Sequence, residues 1–225
     1  MRTITFLIAL VISTIAVVAE EGKYRTKTEK TTPPEELSAA VRGVLMPTCE
    51  VVSDAAGNAI CEVWFRDELP GKGTADQLKN GLTYRELPET TIVAAIRFPK
   101  VFIDFRKQEI PAGTYTLRIA YQPDTGDHTG TAPHTEFALL SPAAKDTEVA
   151  ELEVKALYKM SLGATGGDHP GVMLLYPYRG TEAEATITDR GDAVRTLNVR
   201  RPIATDAGRS MIGFAITVSG HSKTR

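Results

Sequence analysis

Apolar and polar side chains alternate through much of the chain after residue 43. In residues 114–121, Tyr115, Leu117 and Ile119 alternate with polar or small residues, which is the period of a strand with one buried face. Alternation of this kind, or a short β-branched and aromatic run between turn residues, predicts eight further strands. They span residues 44–52, 59–66, 90–98, 136–140, 171–178, 183–188, 193–200 and 211–219.

Helical periodicity is confined to two places. Between residues 147 and 162, apolar side chains recur every three or four positions, which predicts one amphipathic helix ending near Gly163. Residues 33–42 begin with two prolines and two acids, which predicts a short N-terminal helix. Nine strands with so few helices predict a mainly β fold, an antiparallel β-sandwich of Ig-like or jelly-roll-like type. A TIM barrel or a doubly wound sheet would need a helix after most strands.

The first nineteen residues have the pattern of a secretory signal peptide. Arg2 precedes an uncharged run over residues 4–18, and Val17-Val18-Ala19 suits cleavage after Ala19. An uncleaved membrane anchor is the alternative, but the run is shorter than the roughly 20 apolar residues of a spanning helix. We expect an exported protein, periplasmic or extracellular, with a signal peptide at 1–19, a flexible polar leader at 20–34 and a single β-sandwich domain at 35–225.

Charge limits the partners of this domain. The formal net charge of −2 becomes −3 when Arg2 leaves with the signal peptide, since residues 1–19 carry no other charge. A slightly acidic domain has no long-range attraction for nucleic acid or for an anionic membrane surface. We therefore expect no nucleic-acid partner, and no integral membrane segment after signal cleavage.

Two cysteines, Cys49 and Cys61, flank a turn-forming stretch at residues 53–58. If the chain folds back there, the two side chains face each other across a hairpin, and an oxidising compartment favours a structural disulfide between them. Free buried thiols or metal ligands are the alternatives.

Histidines concentrate in Gly-rich loops. The tripeptide Gly-Asp-His ends at His128 and again at His169, and His134 follows the first copy. Loops at one end of a sandwich can converge, and imidazole is a common ligand of copper and zinc, so these three histidines are candidate metal ligands. The alternative is that Gly, Asp and His simply suit turns, because no pair has the tight spacing of a zinc motif.

Motifs of known catalytic sites are missing. Gly208-Arg209-Ser210-Met211-Ile212-Gly213 lacks the second glycine of a nucleophile elbow and leads into a strand, and Gly71-Lys72-Gly73-Thr74 does not meet the spacing of a phosphate loop. A blue-copper centre needs a cysteine near a late histidine, whereas both cysteines here come early. The sequence therefore leans away from an enzyme, and a hydrolase using loop carboxylates has no positive support.

Three aromatic residues are candidates for stacking on a ligand. Tyr176 and Tyr178 flank Pro177 and would point the same way from an extended segment, and Trp64, the single tryptophan, lies between Glu62 and Arg66 on a polar strand face. Exposed rings can stack on sugars or peptides. The alternative is that all three rings pack within the domain, as large aromatic residues usually do.

Several segments between residues 35 and 178 form a recognisable pattern: DFRKQEIPAGTYTLR at 104–118, QPD at 122–124, GDH at 126–128, FALL at 137–140 and HP at 169–170. Together they resemble a family of uncharacterised exported bacterial proteins with a β-sandwich-like domain. The resemblance implies an exported β-rich domain and puts His128 and His169 within the family pattern, whereas His134, Asp127 and Asp168 depart from it. It implies no particular activity.

The leading hypothesis is an exported, non-enzymatic domain with a binding or structural role in the cell envelope, its partner an unidentified protein or carbohydrate. One alternative is a periplasmic copper or zinc protein that uses His128, His169 and His134. The other is a carbohydrate- or peptide-binding module that uses the aromatic residues.

Overall fold

The computed structural model describes residues 23–122 and 133–222. In these ranges the backbone forms thirteen strands, three α-helices and one 3-10 turn at Tyr84–Glu86. The strands are β1 Arg25–Glu29, β2 Cys49–Ser53, β3 Ala59–Phe65, β4 Leu69–Pro70, β5 Ile92–Phe98, β6 Phe102–Ile103, β7 Glu109–Ile110, β8 Gly113–Tyr121, β9 Glu136–Pro142, β10 Gly171–Leu174, β11 Thr186–Gly191, β12 Val194–Thr205 and β13 Gly208–Ser219. The helices are α1 Ala39–Arg42, α2 Ala75–Asn80 and α3 Val154–Thr165.

The strands form two main sheets. The larger sheet is antiparallel and has the order β1-β2-β3-β5-β8-β9-β10, and the smaller one contains β11-β12-β13, with β4 parallel to β12. A separate hairpin is formed by β6 and β7. Alternate side chains from both sheets, such as Val63 and Leu117 from one and Val199 and Phe214 from the other, share one buried cluster. The predicted mainly β, antiparallel sandwich is therefore confirmed.

The outer face of the larger sheet is covered by helices. Residues around α1 pack on Trp64 and Ile92, and Leu157 of α3 packs on Ala120 and Leu139. The helix α3 begins seven residues later than the sequence predicts and ends at Gly166, which has the left-handed φ of 66° typical of a C-cap glycine. Within the described ranges, no helix is both long and apolar enough to cross a membrane.

A buried ion pair explains the late start of α3. The Arg118 guanidinium, fully buried on β8, makes two bonds of 2.7 and 2.8 Å to Asp146 and also donates to the carbonyl oxygens of Glu148 and Ala150. These bonds use backbone groups that a helix over the same residues would need for itself. The segment therefore runs extended across the sheet before α3 begins.

An edge strand lies where we expected a flexible leader. Residues Arg25–Glu29 form β1, which pairs antiparallel with β2, and Thr28 Oγ1 donates to Glu50 at 2.8 Å. The leader has little to bury, but the free edge of β2 supplies backbone hydrogen bonds, and charged side chains suit an outermost strand. The polar composition did not reveal this pairing.

The predicted disulfide is wrong, and the strand register gives the reason. The hairpin of β2 and β3 forms as expected, but it pairs Cys61 with Val52. Cys61 lies in the cluster between the sheets, whereas Cys49 lies on the opposite face beside Trp64. Both thiols are free and buried, and burial raises the pKa of each. They are therefore small core side chains in their thiol form.

Candidate functional site

A cleft of about 560 Å³ opens at one end of the sandwich. Its lining comes from the 3-10 turn and the loop after it, the end of β8, and the first turns of α3. The lining residues are Arg85, Glu89, Tyr121, Gln122, Val154, Lys155 and Tyr158. The volume lies within the range of small-ligand sites, and two tyrosines together with charged groups give the mixed lining typical of them.

One wall of the cleft is fixed by Arg85. Its guanidinium carbon lies 4.6 Å from the centre of the Tyr121 ring, and its Nε donates to Glu136 Oε1 at 3.0 Å. Tyr121 and Glu136 are neighbours because β8 and β9 pair them in register. A second donor of Arg85 bonds the Thr135 hydroxyl at 3.0 Å. The Arg85 side chain is thereby positioned before any ligand arrives.

The two tyrosines contribute rings rather than reactive phenols. The Tyr121 hydroxyl donates to the carbonyl oxygens of Tyr84 at 2.5 Å and Leu87 at 2.7 Å, and burial raises its pKa. The half-buried Tyr158 also has a raised pKa, first because of burial and then because of the Glu89 charge. Both phenols therefore stay protonated at neutral pH.

The opposite wall is formed by the start of α3, where the cation Lys155 follows the exposed acid Glu153. Lys155 is exposed and, among the residues that the structure describes, has no ion-pair partner. The N-terminus of α3 has no side-chain cap at Glu153 and no acid in its first turn. The positive end of the helix dipole and the Lys155 charge are therefore partly offset by the Glu153 carboxylate at the N-cap. Glu89, which accepts from the Tyr121 amide at 3.3 Å, is the acid of the cleft.

A cluster of His134, Tyr176 and Arg190 lies beside the cleft. The rings of His134 and Tyr176 meet nearly edge-on with centres 4.6 Å apart, and the Arg190 guanidinium lies 5.2 Å from the centre of the Tyr176 ring. The chain brings Tyr176 here because, after β10, it passes from the larger sheet to β13, where the Tyr176 amide donates to Ala215.

His134 is neutral in this cluster at neutral pH. Burial is the largest cause of its lowered pKa, and Arg190 lowers it further, although Glu136 acts in the opposite direction. The ring therefore serves as a packing partner of Tyr176 rather than as a cation.

The predicted metal ligands are not brought together where the structure describes them. The β9–β10 register places Gly171 opposite Leu140. His169 thus aligns with residue 142, eight positions from His134, or about 26 Å along the strands. The two imidazoles cannot share an ion. His128 lies outside the described residues, and within them no group of three or more His, Cys, Asp or Glu side chains could bind a metal.

The three predicted stacking residues have different environments. Trp64 is fully buried, and its Nε1 donates to the carbonyl oxygen of Thr31 at 2.9 Å, so it cannot stack on a ligand. Tyr178 is half-buried and its hydroxyl lies 2.6 Å from Glu182 Oε2. Tyr176, also half-buried, is the one that lies in the cluster beside the cleft.

The lining of the cleft was not found from the sequence. Tyr121 appeared only as the last residue of an alternating strand, and Lys155 and Tyr158 as positions on the amphipathic helix. Arg85 lies in a turn without a motif. An aromatic residue at a strand end was the one available signal, and it is common in β proteins.

No protein-family model, no curated protein and no solved structure matches this chain. The chemistry of the cleft and of the neighbouring cluster is therefore the basis for a functional proposal.

Proposed function

We propose that this protein is an exported, non-enzymatic binding domain of the cell envelope, with a carbohydrate ligand in the end cleft. The observation that carries the proposal is the composition of the cleft, in which two tyrosine rings lie among side chains that both donate and accept hydrogen bonds. Export is supported by the pattern of residues 1–19.

A sugar matches both parts of this lining. Its C–H faces can pack on tyrosine rings, while its hydroxyl groups donate and accept hydrogen bonds. Arg85 and Lys155 supply donors, and Glu89 supplies acceptors. A purely apolar ligand would displace water from Lys155 and Glu89 without replacing the hydrogen bonds that the water makes.

Binding is favoured over catalysis by the state of the phenols. The Tyr121 hydroxyl already donates a hydrogen bond shared by two backbone carbonyl oxygens. The raised pKa of Tyr158 keeps its phenol protonated at neutral pH. A general base must have a pKa near the working pH, which neither group has.

A glycan array followed by calorimetric titration of the best ligand tests the proposal. Tyr158→Ala should weaken binding at least about fivefold, which corresponds to about 1 kcal/mol for a central aromatic contact. Lys159→Ala is the matched control, because Lys159 is exposed on the same helix and does not line the cleft.

Three outcomes contradict the proposal in different ways. Equal affinity of folded Tyr158→Ala and wild type would exclude the cleft as the site. Binding of peptides but not glycans, lost in the same variant, would retain the site and replace the ligand class. Absence of any ligand would refute the binding role.

A further inference from the structure

We propose that the ligand is an acidic polysaccharide, and that its chain runs from the cleft to the cluster of His134, Tyr176 and Arg190. There, Arg190 binds the carboxylate of a uronic acid unit. This inference rests on the proposed function and adds to it the charge of the ligand and its length.

The strand register places the cluster next to the cleft. Tyr121 lies opposite Glu136 in the β8–β9 pair, and the Glu136 carbonyl oxygen accepts from the Leu175 amide at 3.2 Å. Tyr176 therefore lies about two strand spacings, or ~10 Å, from Tyr121. A single sugar ring is shorter than this distance, so a ligand that contacts both tyrosines must be a chain.

Arg190 has the geometry of a prepared carboxylate site. Its flat guanidinium lies over the Tyr176 ring, and its Nε donates to the Thr196 hydroxyl at 3.1 Å. Its terminal N–H groups have no hydrogen-bond partner among the residues in the described ranges, and the residue is exposed. A guanidinium fixed in this way can bind a carboxylate with two parallel hydrogen bonds.

Two cations of this surface are available to an anion. Three cations, Arg85, Lys155 and Arg190, lie near three carboxylates, which are Glu89, Glu136 and, beside Tyr176, Asp192. Arg85 is already paired with Glu136 at 3.0 Å, so Lys155 and Arg190 are the cations left for a ligand. They lie at the two ends of the surface, one at the cleft and one at the cluster. A chain with a carboxylate on successive rings can contact both.

The experiment compares uronate oligomers of increasing length (galacturonate, glucuronate and mannuronate) with the same oligomers as methyl esters. Esterification removes the charge and keeps the ring faces. The acidic oligomers should bind more tightly than their esters, affinity should rise with length until both ends of the surface are filled, and added salt should weaken binding of the acids alone.

Substitutions of Arg190 and Lys155 test whether these cations bind the carboxylates of the ligand. Arg190→Gln and Lys155→Met should each weaken binding of the acid about two- to fivefold, the range of an exposed ion pair, and weaken binding of the ester by a smaller factor. Arg190→Lys should restore only part of the loss, because lysine cannot make the paired bonds. Arg209→Gln is the matched control, since Arg209 is exposed and paired with Glu68 away from this surface.

Each contrary result would overturn a different part of the proposal. Equal binding of acid and ester would overturn the charge assignment and leave the carbohydrate proposal intact. A length-independent affinity, or full affinity in Arg190→Gln, would overturn the extended site. If neutral glycans bind at the cleft and uronates do not, this inference fails alone, whereas binding of no glycan refutes the proposed function itself.

Discussion

Substitution of Asp146 by alanine tests how much the buried Arg118–Asp146 ion pair contributes to the stability of the domain. Asp146 is 1% exposed and its carboxylate bonds the fully buried Arg118 guanidinium through both oxygens, at 2.7 and 2.8 Å. It also accepts from the Thr116 hydroxyl at 2.5 Å. In Asp146→Ala the guanidinium keeps its bonds to backbone carbonyl oxygens but loses its counter-charge in a fully buried site.

The expected loss of stability is large. Removing one partner of a buried ion pair costs about 3–5 kcal/mol, because the remaining charge is buried without compensation. A domain has a free energy of unfolding of about 5–15 kcal/mol, so the variant should lose about a fifth of it or more. At about 2–4 °C per kcal/mol for this chain length, Tm should fall by about 6–20 °C.

Urea unfolding followed by tryptophan fluorescence measures the loss directly. Trp64 is the single tryptophan and is fully buried, so its emission reports exposure of the core. Glu68→Ala is the control, because it breaks an exposed ion pair with Arg209 and should cost at most about 1 kcal/mol. If the two variants lost the same stability, the buried pair would not have the role assigned to it.

Three further predictions follow from the core, the cluster and the junction between sheets. Ellman's reagent should detect no reactive thiol in the native protein and two in urea, because Cys49 and Cys61 are buried and unpaired; a reducing agent that lowered Tm would contradict this. The lowered pKa of His134 means that the unfolded chain binds its proton more readily. The free energy of unfolding should therefore fall as pH drops below the ordinary histidine pKa of 6.5 toward the lower pKa of the folded state. Thermal melts from pH 8 to 5 should show a smaller decrease in Tm for His134→Gln than for the wild type. Gly213→Ala should destabilise the protein by about 1–3 kcal/mol, because its Cβ would overlap the carbonyl oxygen of Tyr178; an unchanged Tm would count against this contact.

The fold was predictable because strand period is a local property. Alternation in residues 114–121 predicts β8 almost to its ends, and the turn at residues 53–58 predicts the hairpin of β2 and β3. Register is not local in the same way. A register shift by an odd number of positions moves a side chain to the other face. Cys61 pairs with Val52, three positions from Cys49, so the two cysteines lie on opposite faces although the hairpin forms as predicted.

Long-range contacts explain the other differences. Arg118 looked like a polar position on a half-buried strand, but it is fully buried and takes backbone bonds from residues 148–150 that would otherwise begin α3. The edge strand β1 depends on pairing with β2 rather than on its own polar composition. The cleft combines three separate segments, so no motif along the chain could indicate it.

The most direct test of ligand binding in the cleft is nitrogen-15 NMR of the labelled protein, titrated with acidic and neutral oligosaccharides. We expect amide shift changes at Arg85, Tyr121 and Tyr158, extending to Arg190 only with the longer acidic chains. Shift changes confined to residues outside this end of the sandwich, or none with any saccharide, would contradict this expectation.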